Sequence, residues 1–219
     1  MEREAISQVL EDIGEHARAE LEALHHAREG AYAASRRVIR AAANAIRAIH
    51  RRDRDEAERL LDEATASLDV VRQARAERTE LVGAGFVLDA QKEYAEAQLV
   101  YGLLVDKRPL PGPAELGVDV SAWLNGLAET VGELRRRMLD LLRAGEHEEA
   151  ETALAIMEEI LALLVTIDFP DGVTGGLRRS TDIARSITER SRGDLTTALE
   201  LDRVYRALEV HRTEWEGPR

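Results

Sequence analysis

No stretch of this chain sustains the polar–apolar alternation of a half-buried strand, and only a few short interruptions punctuate otherwise continuous helix-forming sequence. Alanine, leucine, glutamate and arginine dominate, all strong helix formers, and aromatic residues make up only 4%. Breaks fall at Gly30, at "RRDRD", at "KRPLPGPAELG", at "AGE" and at "DFPDG". The pattern predicts helices at 3–28, 31–50, 54–76, 78–105, 120–143, 147–166, 173–192 and 195–211. That is an all-α chain, an antiparallel bundle of about seven or eight helices. Its one Pro/Gly-rich loop, "PLPGP", is short, so a single domain covering 1–219 is expected.

A faint internal echo joins two of the breaks. "RRDRDEAERLLDEA" and "LRAGEHEEAETALAIMEE" both read as a tight turn followed by an acidic helix start. Acids there suit the positive end of a helix dipole. The echo covers one hairpin each and does not recur at a fixed period, so it marks two similar antiparallel turns and not a repeat array.

Composition excludes several function classes. There is no cysteine, which removes disulfides, thiol chemistry and thiolate metal sites. The longest apolar run, "ILALLVTI" at 160–167, is too short to span a bilayer, and the N-terminus has no signal-peptide core. A cytoplasmic protein with no membrane contact is expected. The net charge of −12 argues against nucleic-acid binding by the whole surface but leaves room for a local basic patch.

Such a patch is present. "SRRVIRAAANAIRAIHRRDR" carries Arg36, Arg37, Arg40, Arg47, Arg51, Arg52 and Arg54 against one acid, Asp53. Arg36, Arg40 and Arg47 fall on one helical face, with Arg37 and Arg51 near it. Guanidinium groups match phosphate geometry. Tyr32 is the one aromatic residue nearby. A thinner cluster, Arg178, Arg179, Arg185, Arg190 and Arg192, lies in "GLRRSTDIARSITERSRG"; for both, a solvated, ion-paired face is the competing reading. "TGG" at Thr174–Gly176 lacks the lysine and strand of a nucleotide loop and reads as a plain helix start. His25, His26, His50 and His147 are scattered and read as structural or surface residues.

Acids supply the chemistry-bearing pattern. In "KEYAEA", Glu93 and Glu96 lie three apart on a stripe of Phe86, Ala90, Ala97 and Val100. A carboxylate on such a stripe is costly unless something compensates it. In "NGLAETVGELRRRM", Glu129 and Glu133 lie four apart, flanked by Gly126 and Gly132, where a backbone or ligand can approach. Two helices presenting such pairs can build an all-oxygen site suited to magnesium or manganese, able to assist phosphodiester cleavage. Solvated pairs, Lys92 with Glu96 and Glu133 with Arg136 or Arg137, are the competing reading.

Three stretches resemble the translin family. "SRRVIRAAANAIRAIHR" is similar to the family's second helix; "KEYAEA" looks like the "QEYVEA" of the translin-associated factor X branch; "WLNGLAETVGELRRRM" is similar to that branch's "YLLGVADLTGELMRM". "LRRSTDIARSITERSRGDL" fits the family's last long helices, and the resemblance spans about residues 10–210. It implies assembly into a closed, hollow homo-oligomer of about six to eight subunits, with a paralogous subunit as a further partner. It implies binding of single-stranded RNA or DNA. In the factor X branch it implies a magnesium-dependent endoribonuclease. Carried over, Glu93 and Glu96 match the branch's paired acids and Glu133 its "TGEL" glutamate. Glu129 stands where that branch has aspartate: the carboxylate remains, one methylene longer. The alternatives are a non-catalytic binder of single strands and a structural helical oligomer.

Overall fold

The structure, a computed structural model, describes residues 3–81, 84–106 and 109–215. Among them are eight α-helices and no strand: α1 (Arg3–His50), α2 (Arg54–Glu77), α3 (Gly85–Tyr101), α4 (Pro113–Leu116), α5 (Val120–Ala144), α6 (His147–Leu164), α7 (Asp171–Thr174) and α8 (Leu177–Trp215). A 3-10 turn at Thr79–Leu81 precedes α3, and a π turn at Gly102–Asp106 follows it. The chain divides into two compact units, residues 1–97 and 98–219.

The first unit is built on α1, 48 residues long. Its buried side chains begin at Ala31 and recur at helical spacing through Ala34, Val38, Ala41, Ala42, Ala45, Ile46 and Ile49. Most of these are alanines, so the facing helix can approach closely. That helix is α2, which buries Ala57, Leu60, Leu61, Ala64, Leu68 and Val71 at the same spacing. The connection is only three residues. The Asp53 amide donates to Ala48 O (3.0 Å) and the Arg52 amide to Ile49 O (2.9 Å), with Arg52 left-handed at φ 60°. This is a Schellman ending. Asp53 then caps α2, its carboxylate accepting from the Glu56 amide at 3.3 Å. A hydroxyl contact of 2.9 Å between Thr65 and Tyr94 ties α2 to α3.

In the second unit α5, α6 and α8 enclose one core, which includes Leu127, Val131, Leu134, Met138, Met157, Leu164 and Leu177. The α5–α6 turn repeats the ending of α1: the Glu146 amide donates to Leu141 O (2.9 Å), the Gly145 amide to Leu142 O (3.1 Å), and Gly145 is left-handed at φ 76°. The sequence echo is therefore one turn geometry used twice, with arginine at the left-handed position in one copy and glycine in the other. Asn125, 6% exposed, pins the segment before α8: its amide donates to Ser121 O and Thr174 O (both 2.8 Å), and its Oδ1 accepts from Ser180. The Trp123 indole donates to Pro111 O at 2.9 Å, anchoring the proline-rich loop.

Three expected boundaries are corrected. Gly30 does not end a helix, and α1 runs through it. Gly193 does not separate two helices, and α8 runs through it from Leu177. One interior glycine costs about 1 kcal/mol, too little to stop a long helix that packs beyond it. The expected helix 78–105 begins only at Gly85, with Arg78 capping α2; its Val82 and Gly83, like Lys107 and Arg108 of the proline-rich break, lie outside the described residues. "TGG" closes α7, with Gly175 at φ 61° and Gly176 at φ 84°, before α8 starts.

Candidate nucleic-acid interface and acidic residues

The arginines of α1 occupy its solvent face because its other face is alanine packed on α2. Arg36, Arg40 and Arg47, with Ile39 and Ala43, line a shallow groove along α1. Arg47 donates to Asn44 Oδ1 at 2.6 Å. Among the described residues Arg36, Arg37, Arg40, Arg47 and Arg51 form no ion pair. Arg40 and Arg51 also line a polar pocket with Asn44, Glu56, Arg59 and Glu63; Arg37 is exposed but lines neither recess. Arg59 is committed to acids, 2.8 Å from Glu56 and 3.4 Å from Glu63. Its hydrogen bond holds the Glu56 carboxyl below the usual range and pushes the guanidinium up. The Glu56 contribution is present above the ordinary carboxylate range and is lost as pH falls; it is small, because the pair is exposed.

Sequence reasoning missed the pocket's α2 residues, yet a signal existed. In an antiparallel pair turning at Arg52, residues equally far before and after the turn face each other. Asn44 and Leu60 stand eight positions either side of it and line the same pocket.

The second basic cluster behaves differently. Arg178 lies 3.6 Å from Asp168, Arg185 2.6 Å from Asp182, and Arg192 2.6 Å from Glu158. Arg190 donates to Ser186 O. For most of this cluster the ion-paired reading is the one observed. His25 and His26 are exposed or nearly so, and His147 Nδ1 lies 3.9 Å from Asp202.

The four sequence-identified carboxylates lie on two helices. α3 is buried on nearly every side, from Ala90 and Gln91 through Tyr94, Ala95 and Ala97. Glu96 is 8% exposed within it, while the Glu93 side chain keeps 27% and lies 3.3 Å from Lys92 Nζ. Glu129 and Glu133 stand one turn apart on α5, both partly buried. Glu133 reaches Arg136 at 3.9 Å. Gly126 is buried, and a Cβ on Gly132 meets nothing within 4 Å among the described residues, so crowding does not account for the second glycine.

A helical chain with an arginine-lined helix face and two helices carrying partly or fully buried carboxylates invites comparison with known proteins. No family model matches it. An uncharacterised protein of Methanocaldococcus jannaschii is 32% identical over 168 residues, covering 76% of this chain and 73% of that one. AfC3PO, solved in complex with duplex RNA, is 33% identical with a TM-score of 0.77, covering 87% of this chain and 97% of that one. AfC3PO solved in a second structure matches at 33% identity and a TM-score of 0.73, over 87% and 98% of the two chains. Apo-NeC3PO shares the fold at 22% identity and a TM-score of 0.76, over 84% and 96% of the two chains. The chain belongs to the translin family.

Proposed function

We propose that this chain binds RNA through the arginine face of α1 and cleaves it with a divalent cation, magnesium or manganese, held by Glu93, Glu96, Glu129 and Glu133. One observation carries the RNA-binding part: 33% identity over nearly the whole of AfC3PO, a protein solved with duplex RNA. The unpaired arginines of the Arg36–Arg47 groove support it, since they are available to phosphate while those of α8 are largely engaged with acids.

The acids of α3 and α5 support the chemistry. Glu96 is only 8% exposed, and an all-carboxylate donor set fits a hard cation. A divalent ion supplies Lewis-acid polarisation and an activated water for hydrolysis. The arginines hold the neighbouring phosphates in register, and water replaces the leaving sugar oxygen on phosphorus. We place the chain nearer the factor X branch on its acidic motifs, acting on single strands of RNA or DNA as a closed oligomer, alone or with a paralogous subunit, in the cytoplasm. Among the described residues no helix is long and apolar enough to cross a membrane.

The test is incubation of labelled RNA, single-stranded and duplex, with and without magnesium. The wild type is expected to cleave only with the metal. Glu96→Gln keeps the shape but loses the charge a hard cation requires, so it is expected to abolish cleavage and retain binding. A folded wild type that binds RNA but never cleaves it with magnesium or manganese leaves the non-catalytic binder standing.

A further inference from the structure

The arginine groove of α1 does not end in bare polar surface. One turn before Arg36, on the same helical face, stands Tyr32, 39% exposed. Tyr32 is held: its ring meets Phe86 of α3 at a centroid distance of 5.5 Å and an interplanar angle of 86°. Arg28, one turn further back, places its guanidinium 5.6 Å from the Phe86 centroid. The line Arg28, Tyr32, Arg36, Arg40, Arg47 thus tracks one face of a single rigid helix. Tyr32 and Arg47 are about 22 Å apart along the axis at 1.5 Å per residue. A large aromatic ring left exposed one turn from the unpaired Arg36, and braced by a second ring, matches what single-strand binders use. Guanidinium groups track the phosphates while an aromatic face takes a base.

We propose that Tyr32, braced by Phe86, is a stacking platform for the exposed face of a nucleobase at the end of the arginine groove. This rests on the RNA-binding reading above and adds to it a contact to a base. The base face can come from an unpaired nucleotide or from the end pair of a duplex. Both present a π surface, whereas pairs inside a duplex do not. The platform carries no hydrogen-bond code, so it favours base over no base without selecting a sequence. Arg28, ion-paired with Glu29 at 2.9 Å, contributes by fixing Phe86.

The experiment measures binding by fluorescence anisotropy in EDTA, which stops cleavage, with three probes: labelled decauridine, an abasic ribose-phosphate strand of the same length, and a blunt-ended RNA duplex. Tyr32→Ala is expected to weaken decauridine binding about tenfold, in line with removal of one base–aromatic stack, and to leave the abasic strand and the salt slope unchanged. Tyr32→Phe keeps the ring and is expected to bind decauridine as the wild type does. Weakening on decauridine alone assigns an unpaired base; weakening on the blunt duplex as well assigns any exposed base face. Equal weakening on decauridine and on the abasic strand overturns the platform, because a general structural defect has that signature. So does wild-type affinity in Tyr32→Ala. A wild type that binds none of the three probes fails the RNA-binding reading itself, and the platform with it.

Discussion

Arg52 and Gly145 sit at the same place in two copies of one turn, and only one of them suits it. At φ 60° the arginine side chain crowds the backbone; glycine at φ 76° meets no such clash. Arg52→Gly is therefore expected to stabilise the protein by about 1 kcal/mol in denaturant unfolding, and Gly145→Ala to destabilise it by about as much. An Arg52→Gly variant that is neutral or less stable contradicts this account of the turn. The turn echo was legible because the helix-start acids repeat; the Schellman geometry was not, since an arginine gives no left-handed signal. The apolar stripe was legible around Glu93 and Glu96, but not which acid it buries: Glu96 is 8% exposed, while the Glu93 side chain keeps 27%. The state of the arginines was not legible either. Spacing places guanidinium groups on a face but does not say whether an acid from another helix reaches them, as Glu158 of α6 reaches Arg192 of α8.

At the scale of elements, helix type was written in composition, while helix length was not. Gly30 and Gly193 read as breaks, yet α1 and α8 run through both. Each helix also leaves one end without cover. None of residues 3–30 is buried, and Ile6, Val9, Leu10 and Ile13 form an exposed apolar stripe at helical spacing. Leu201, Val204, Tyr205 and Leu208 do the same on α8, beyond Leu195, the last buried residue among those described. Single exposed apolar residues are ordinary, but stripes at i, i+3, i+4 and i+7 are what a partner helix covers. Contacts between copies of this chain are the expected cover for them. Light scattering is expected to give about six to eight times the 24.3 kDa of one chain. A monomer over a wide concentration range contradicts that expectation.

For the molecule as a whole, the net charge of −12 and an RNA ligand are compatible only if the positive charge is local and unspent. The two arginine clusters meet that condition unequally. Most of the α8 cluster is engaged with acids, and the α1 groove is not. The central claim is that phosphates bind this one face. It is tested most directly by RNA affinity as a function of salt, for the wild type and for Arg36→Ala/Arg40→Ala/Arg47→Ala. A phosphate that no arginine neutralises keeps its counterions, so the triple variant is expected to bind at least tenfold more weakly and with a flatter dependence of log K on log salt, by roughly two to three in slope. A folded triple variant with wild-type affinity and wild-type slope contradicts the claim.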